Sequence, residues 1–100
     1  MYARIDDAPI HPSYLEVLGD AELIRMVRSG SDDALGILLR RHRDALYRFC
    51  MHMTPNRDDA EDVCQETMAR AITRVGTLQT GGAFRSWLFS IARNLSIDSY

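Results

Sequence analysis

The sequence predicts an all-α fold: a compact four-helix domain preceded by an irregular N-terminal arm. Three observations carry that expectation. Apolar residues recur at spacings of three and four in four successive stretches, the period that gathers them on one helix face. Breaker clusters at Ser29-Gly30, Thr54-Pro55-Asn56 and Thr77–Gly82 separate the stretches. No strand-like alternation, internal repeat or low-complexity segment appears. At 100 residues the chain is one small domain. Such a chain buries only roughly 60–65% of the surface its unfolded form exposes, so its core is thin. A hydrophobic content of 46% suffices for that core and argues against a disordered tail.

Residues 1–19 show no sustained period and are expected to form the arm. Ala8-Pro9-Ile10-His11-Pro12 is irregular or extended, because each proline drives its predecessor out of the helical region. A short turn over Ser13–Leu18 is compatible with the pattern. The domain proper then covers residues 20–100. Asp20 is expected to cap the first helix, Ala21–Arg28, with Leu23, Ile24 and Val27 inward. Gly30 suits the left-handed position that ends it.

Ser31 or Asp32 caps a second helix running to Met53. Its predicted apolar face is Leu35, Leu38, Leu39, Leu46, Phe49, Cys50 and Met53; Arg40, Arg41, Arg43, Asp44 and Arg48 lie opposite. A third helix starts at Arg57 or Asp58, where acidic residues suit the helix dipole. It buries Ala60, Val63, Cys64, Thr67, Ala71 and Ile72, and ends around Val75-Gly76. The fourth runs from Ala83 towards the C-terminus on a stripe of Phe84, Trp87, Leu88, Ile91, Ala92 and Leu95.

The net charge of −2 does not point to a nucleic-acid binder, which is usually basic. Its distribution says more. Residues 57–66 set Arg57 against Asp58, Asp59, Glu61, Asp62 and Glu66; residues 67–100 set Arg70, Arg74, Arg85 and Arg93 against Asp98 alone. This suits two partners of opposite sign, or simply solvated faces of uneven charge. Two cysteines make no disulfide framework, and neither a secretion signal nor a membrane span is present. The chain is therefore expected in the cytoplasm, with reduced thiols and no membrane insertion.

On the third helix Asp62, Gln65 and Glu66 stand at i, i+3 and i+4 and share a face. Two carboxylates flanking an amide suit Arg side chains. The same spacing fits a solvated face or a weak metal site, and the residues alone leave these open.

Ala60-Glu61-Asp62-Val63-Cys64-Gln65-Glu66-Thr67, followed by Phe84-Arg85-Ser86-Trp87-Leu88-Phe89-Ser90-Ile91-Ala92-Arg93-Asn94, resembles the second conserved region of extracytoplasmic-function (ECF) sigma factors. Asp20–Leu23 and Gly30–Ala34 resemble that family's opening helices. The resemblance implies a transcription initiation domain, not an enzyme, with no cofactor and no metal. It implies docking on the clamp helices of the RNA polymerase largest subunit through Asp62, Gln65, Glu66 and the neighbouring Asp58. It implies recognition and melting of the −10 promoter element. In that role the loop Leu78, Gln79, Thr80, Gly81 and Gly82 captures a flipped non-template base. Arg85, Ser86, Ser90, Arg93 and Asn94 of the fourth helix face the DNA. An anti-sigma factor covering these surfaces is a further implied partner.

The chain departs from the family pattern at Leu78-Gln79-Thr80, where an aromatic and Arg-Gly are common. It does so again at Met68 and Ala69, where bulkier apolar residues are common. The family's second helical domain, which reads the −35 element, has no counterpart within residues 1–100, so the chain reads as a truncated piece or a lone domain. Competing readings remain. Phe84 and Trp87 are core by spacing, or wedges between bases. Cys50, His52 and Cys64, with His11 or His42, match no ligand-pair spacing and read as buried thiols beside ordinary histidines. Arg40, Arg41 and Arg43 form a solvated face or touch DNA backbone. The rival function is a helical protein-interaction module that never binds DNA.

Overall fold

The computed structural model describes residues 12–78 and 83–98. A one-turn helix, Pro12–Leu15, leads into four helices: α1 Asp20–Arg28, α2 Asp32–Met53, α3 Arg57–Arg74 and α4 Phe84–Asp98, with a 3-10 turn at Val75–Thr77. No strand occurs among the described residues. The all-α, four-helix expectation holds. Residues 1–11, including His11, and Gln79, Thr80, Gly81 and Gly82 of the loop lie outside the described residues.

Helix α2 is the centre of the fold and packs against the one-turn helix, α1, α3 and α4. Its buried residues include Ala34, Leu38, His42, Leu46 and Cys50, an unbroken series of i+4 steps, with Ile37 beside it. Such a row winds slowly round the helix, because four residues exceed one turn by about 40°. A single helix thereby turns its ridge towards several neighbours along its length. This corrects the predicted stripe: Leu35, Leu39, Phe49 and Met53 are only partly buried, while Ala34, Ile37 and His42 belong inside.

His42 is tolerated there because Asp20 meets it. Its Nε2 lies 2.8 Å from an Asp20 carboxylate oxygen, and the Arg41 guanidinium donates to the other oxygen at 2.9 Å. Asp20 is consequently not the cap of α1. Gly19 holds the extended cap position, and Glu22 reaches back to accept from the Gly19 N–H at 3.2 Å. Pairing with Arg41 and His42 turns the Asp20 side chain away from the helix end. Arg41 also donates to the Glu16 carbonyl at 3.1 Å.

The other helix ends follow the sequence. Gly30 has φ +101°. Its N–H reaches the Val27 carbonyl at 2.9 Å, and the Ser31 N–H reaches Met26 at 3.0 Å. These are the paired bonds of a Schellman terminus. Ser31 then caps α2 by accepting from the Ala34 N–H at 3.1 Å. Asn56 caps α3 by accepting from the N–H groups of Asp58 and Asp59.

The core joins all elements. Leu15, within the segment expected as an arm, is fully buried with Leu23, Leu38, Leu46, Phe84 and Leu88. Two buried hydroxyls are satisfied within their own helices: Thr67 donates to the Val63 carbonyl at 2.7 Å and Ser96 to Ala92 at 2.9 Å. Phe84, the first residue of α4, packs its ring 5.3 Å from His42 and 5.9 Å from Trp87. It fixes the position from which α4 leaves the loop.

Candidate polymerase and nucleic-acid faces

Two outward faces collect the predicted residues. On α3, Asp58, Asp62, Gln65 and Glu66 are all exposed, while Ala60, Val63, Cys64, Thr67 and Ala71 point inward. Steps of four and three place the exposed set in one stripe over more than two turns. Glu66 is paired with Arg70 of its own helix at 3.0 Å, so it carries less free negative charge than Asp62. Asp62 and Gln65 make no side-chain hydrogen bond or ion pair within the described chain. The acidic end of α3 is also the positive end of its dipole, which stabilises Asp58 and Asp59 there without external cations.

Beside this stripe runs a groove of about 800 Å³ between α2 and α3. Gln65, Met68 and Ile72 contribute from α3, and Arg43, Tyr47 and Arg48 from α2. Ile72 was expected inward, but it is 51% exposed and forms part of the rim. At 3.6 residues per turn it lies two turns beyond Gln65, on the outward side, whereas Ala71 takes the core position. The Tyr47 hydroxyl, followed by Glu61, holds the Arg57 guanidinium still more firmly protonated at the groove's end. Tyr47 was missed as a groove residue because it is a single apolar residue off the main stripe of α2, and Ile72 because it was assigned to the buried stripe of α3.

On α4, Arg85, Ser86, Ser90, Arg93 and Asn94 are exposed, while Phe84, Leu88, Ala92 and Ser96 are buried. Trp87 is half-buried against the core, which accords with scaffold by spacing. Arg85 is not a loose cation: its guanidinium lies 4.9 Å from the Phe89 ring centroid, and the Phe89 ring packs in a tilted pair against Phe49 of α2. Ser90 donates to the Trp87 carbonyl at 2.7 Å, leaving its oxygen only as an acceptor towards solvent. Arg93 and Asn94 have no such engagement, and their donors and acceptors face outward. The described part of this face carries positive charge without a described acidic side chain.

The loop connecting the two faces is described only at its ends. Leu78 is half-buried and packs against the core, and its N–H reaches the Val75 carbonyl at 3.0 Å. Its side chain anchors the loop. Arg40 and Arg43 of α2 are exposed, and Arg41 is held by Asp20. Among the described residues no three His, Cys, Asp or Glu gather as a metal site. No helix among them is long and apolar enough to cross a membrane.

Comparison with known proteins gives a consistent answer. The family described as Sigma-70 region 2 matches residues 38–100. The chain is 35% identical over 75 residues to the ECF RNA polymerase sigma factor SigW of Bacillus subtilis, covering 75% of this chain and 40% of SigW. It is 38% identical over 80 residues to the ECF RNA polymerase sigma factor BldN of Streptomyces coelicolor, covering 79% of this chain and 30% of BldN. SigE of Mycolicibacterium smegmatis, also an ECF RNA polymerase sigma factor, is 41% identical over 61 residues, covering 61% of this chain and 23% of SigE. The chain thus spans at most two fifths of these relatives. No solved structure matches it significantly.

Proposed function

From a chain that belongs to the sigma-70 region 2 family as an ECF sigma factor region 2 domain, we propose a transcription initiation domain that binds core RNA polymerase and recognises and melts the −10 promoter element. The supporting observation is the division of the surface: the acidic stripe on α3 and the Arg/Ser/Asn stripe on α4 are both exposed, and one shared core holds them in fixed relation.

On this reading Asp58, Asp62, Gln65 and Glu66 meet basic groups on the clamp helices of the polymerase largest subunit, where opposite charge favours encounter and register. Asn94 offers an amide donor and acceptor to a base edge, and Arg85 and Arg93 meet phosphates. The loop from Leu78 to Ala83, with Gln79, Thr80, Gly81 and Gly82, receives a flipped base of the non-template strand. Extruding a base costs a few kcal/mol of unstacking, so a protein that holds only the unpaired form shifts the duplex towards melting. No bond in the DNA is made or broken. An anti-sigma factor that covers either face silences the domain, and the work takes place in the cytoplasm.

Asp62→Ala combined with Glu66→Ala tests the docking half. Affinity for core polymerase is expected to fall while helicity by circular dichroism is retained. Unchanged affinity removes the docking assignment. A helical interaction module that never touches DNA predicts no salt-sensitive binding to a promoter strand.

A further inference from the structure

The two cysteines are assigned to neither proposed contact: Cys64 falls between Asp62 and Gln65 in the chain but turns inward from their stripe, and Cys50 belongs to the buried ridge of α2. Cys50 sits on α2 and is fully buried; Cys64 sits on α3 and is 9% exposed. Both are free thiols, and the two helices pack directly together. The thiols are neighbours: Cys64 is an electrostatic and hydrogen-bonding partner of Cys50, and the Cys50 S–H in turn favours the Cys64 thiolate. Arg43 also favours that thiolate. Cys64 lines the α2–α3 groove, a route for a small solute, whereas Cys50 lies behind it.

We propose that Cys50 and Cys64 form an oxidative modification site, in which a hydroperoxide oxidises Cys64 and Cys50 closes the product into a disulfide that staples α2 to α3. The Cys64 thiolate attacks a peroxide oxygen. The S–O bond forms, the O–O bond breaks, and the released alkoxide or hydroxide takes a proton and leaves as alcohol or water. The Cys50 sulfur then attacks the sulfenic sulfur. The S–S bond forms, the S–O bond breaks, and the hydroxide leaves as water with the Cys50 proton. The peroxide gains the two electrons that the thiol pair loses.

The roles follow from position. Access through the groove and the adjacent Arg43 make Cys64 the attacking group, and the buried Cys50 resolves it. Burial sets the pace. It pushes Cys50 up to about 12 and also raises Cys64, so the thiolate is scarce at neutral pH. Oxidation is therefore slow near neutrality and accelerates with pH while pH remains below the Cys64 pKa, by about tenfold per unit. This site does not depend on the polymerase or DNA assignments.

The test exposes the chain to hydrogen peroxide at several pH values, denatures it in a maleimide and reads the intact mass without reductant. The expected product is a monomer lacking two hydrogens and carrying no maleimide. It yields a Cys50–Cys64 linked peptide, and a dithiol reductant reverses it. Cys50→Ala is expected to halt at a Cys64 sulfenic acid that dimedone traps. Four results in the unsubstituted chain overturn the proposal: both thiols still alkylated, linkage only between chains, Cys64 advancing to sulfinic acid with Cys50 untouched, or an oxidation rate that climbs with sub-denaturing urea as global unfolding does.

Discussion

Removing Arg93 and Asn94 one at a time tests the two kinds of DNA contact proposed for the face of α4. Both side chains are exposed and without internal partners, so truncating either leaves the helix and its core intact. Arg93 is assigned to phosphate. For a single strand, each neutralised phosphate contributes about 0.7 to the slope of log affinity against log salt. If Arg85 and Arg93 each hold one phosphate, α4 supplies about 1.4 of the total slope, and Arg93→Ala removes about half of that. The loss is the same for every sequence, because phosphates carry no base identity. Asn94 is assigned to a base edge. Asn94→Ala is expected to weaken binding by about 1–3 kcal/mol, to leave the salt slope unchanged and to relax preference at one position.

The assay is equilibrium binding of a labelled non-template −10 oligonucleotide to core polymerase carrying each variant, across a series of salt concentrations and single-base replacements. The crossed pattern is the diagnostic result: slope without specificity for Arg93, specificity without slope for Asn94. Equal losses in both quantities for both variants would mean that α4 reaches the DNA only as a block of positive potential, and the residue-level assignment fails. Unchanged binding in both would remove α4 from the DNA interface.

Three further predictions concern the scaffold. Leu15→Ala is expected to cost about 2–5 kcal/mol in urea unfolding, because a fully buried leucine leaves a cavity; a cost near zero would return residues 12–18 to the status of a loose arm. Asp20→Ala strands the mostly buried His42 ring and frees Arg41, and about 1–3 kcal/mol is expected from chemical denaturation. If Asp20 acted as a helix cap instead, Asp20→Ser would restore the loss, and here it should not. Gly30→Ala forces a side chain into φ +101° and should cost about 1–2 kcal/mol by thermal or urea unfolding.

The elements were legible because their punctuation is local. Gly30, Ser31 and Asn56 act within three residues of themselves, and the stop at Thr54-Pro55 needs no tertiary partner. What the sequence hid was long-range. Asp20 looks like a cap in its own neighbourhood, and only Arg41 and His42, a helix away, decide otherwise. His42 looks like a surface residue until the i+4 ridge of α2 carries it into the core. Leu15 follows a proline-rich stretch and has no periodic neighbours, so nothing local announces its burial. The polar residues proposed for the two faces are marked by the family pattern, and the groove beside them is not. Tyr47 and Ile72 gain meaning only when α2 and α3 lie side by side. Gln79, Thr80, Gly81 and Gly82 lie outside the described residues, so their role rests on the family pattern.

The net charge of −2 becomes intelligible once the two faces are taken separately. Negative charge is concentrated on α3, and the α4 face carries Arg85 and Arg93. A polyanion approaching the isolated domain feels both, and the acidic stripe offsets much of the attraction of the arginines over distances within a Debye length, about 8 Å at physiological salt. On the proposed function, docking on basic polymerase groups would neutralise the stripe and leave the α4 cations unopposed. On the proposed function, polymerase binding therefore raises DNA affinity through charge alone, before any change of shape. The coupling should weaken as salt rises. It should also weaken when Asp58 and Asp62 are replaced by Asn and Gln respectively: the free domain would then bind the single strand better, while docking became poorer. Measuring both affinities on that double variant distinguishes this electrostatic gating from a conformational one, in which the free domain would gain nothing.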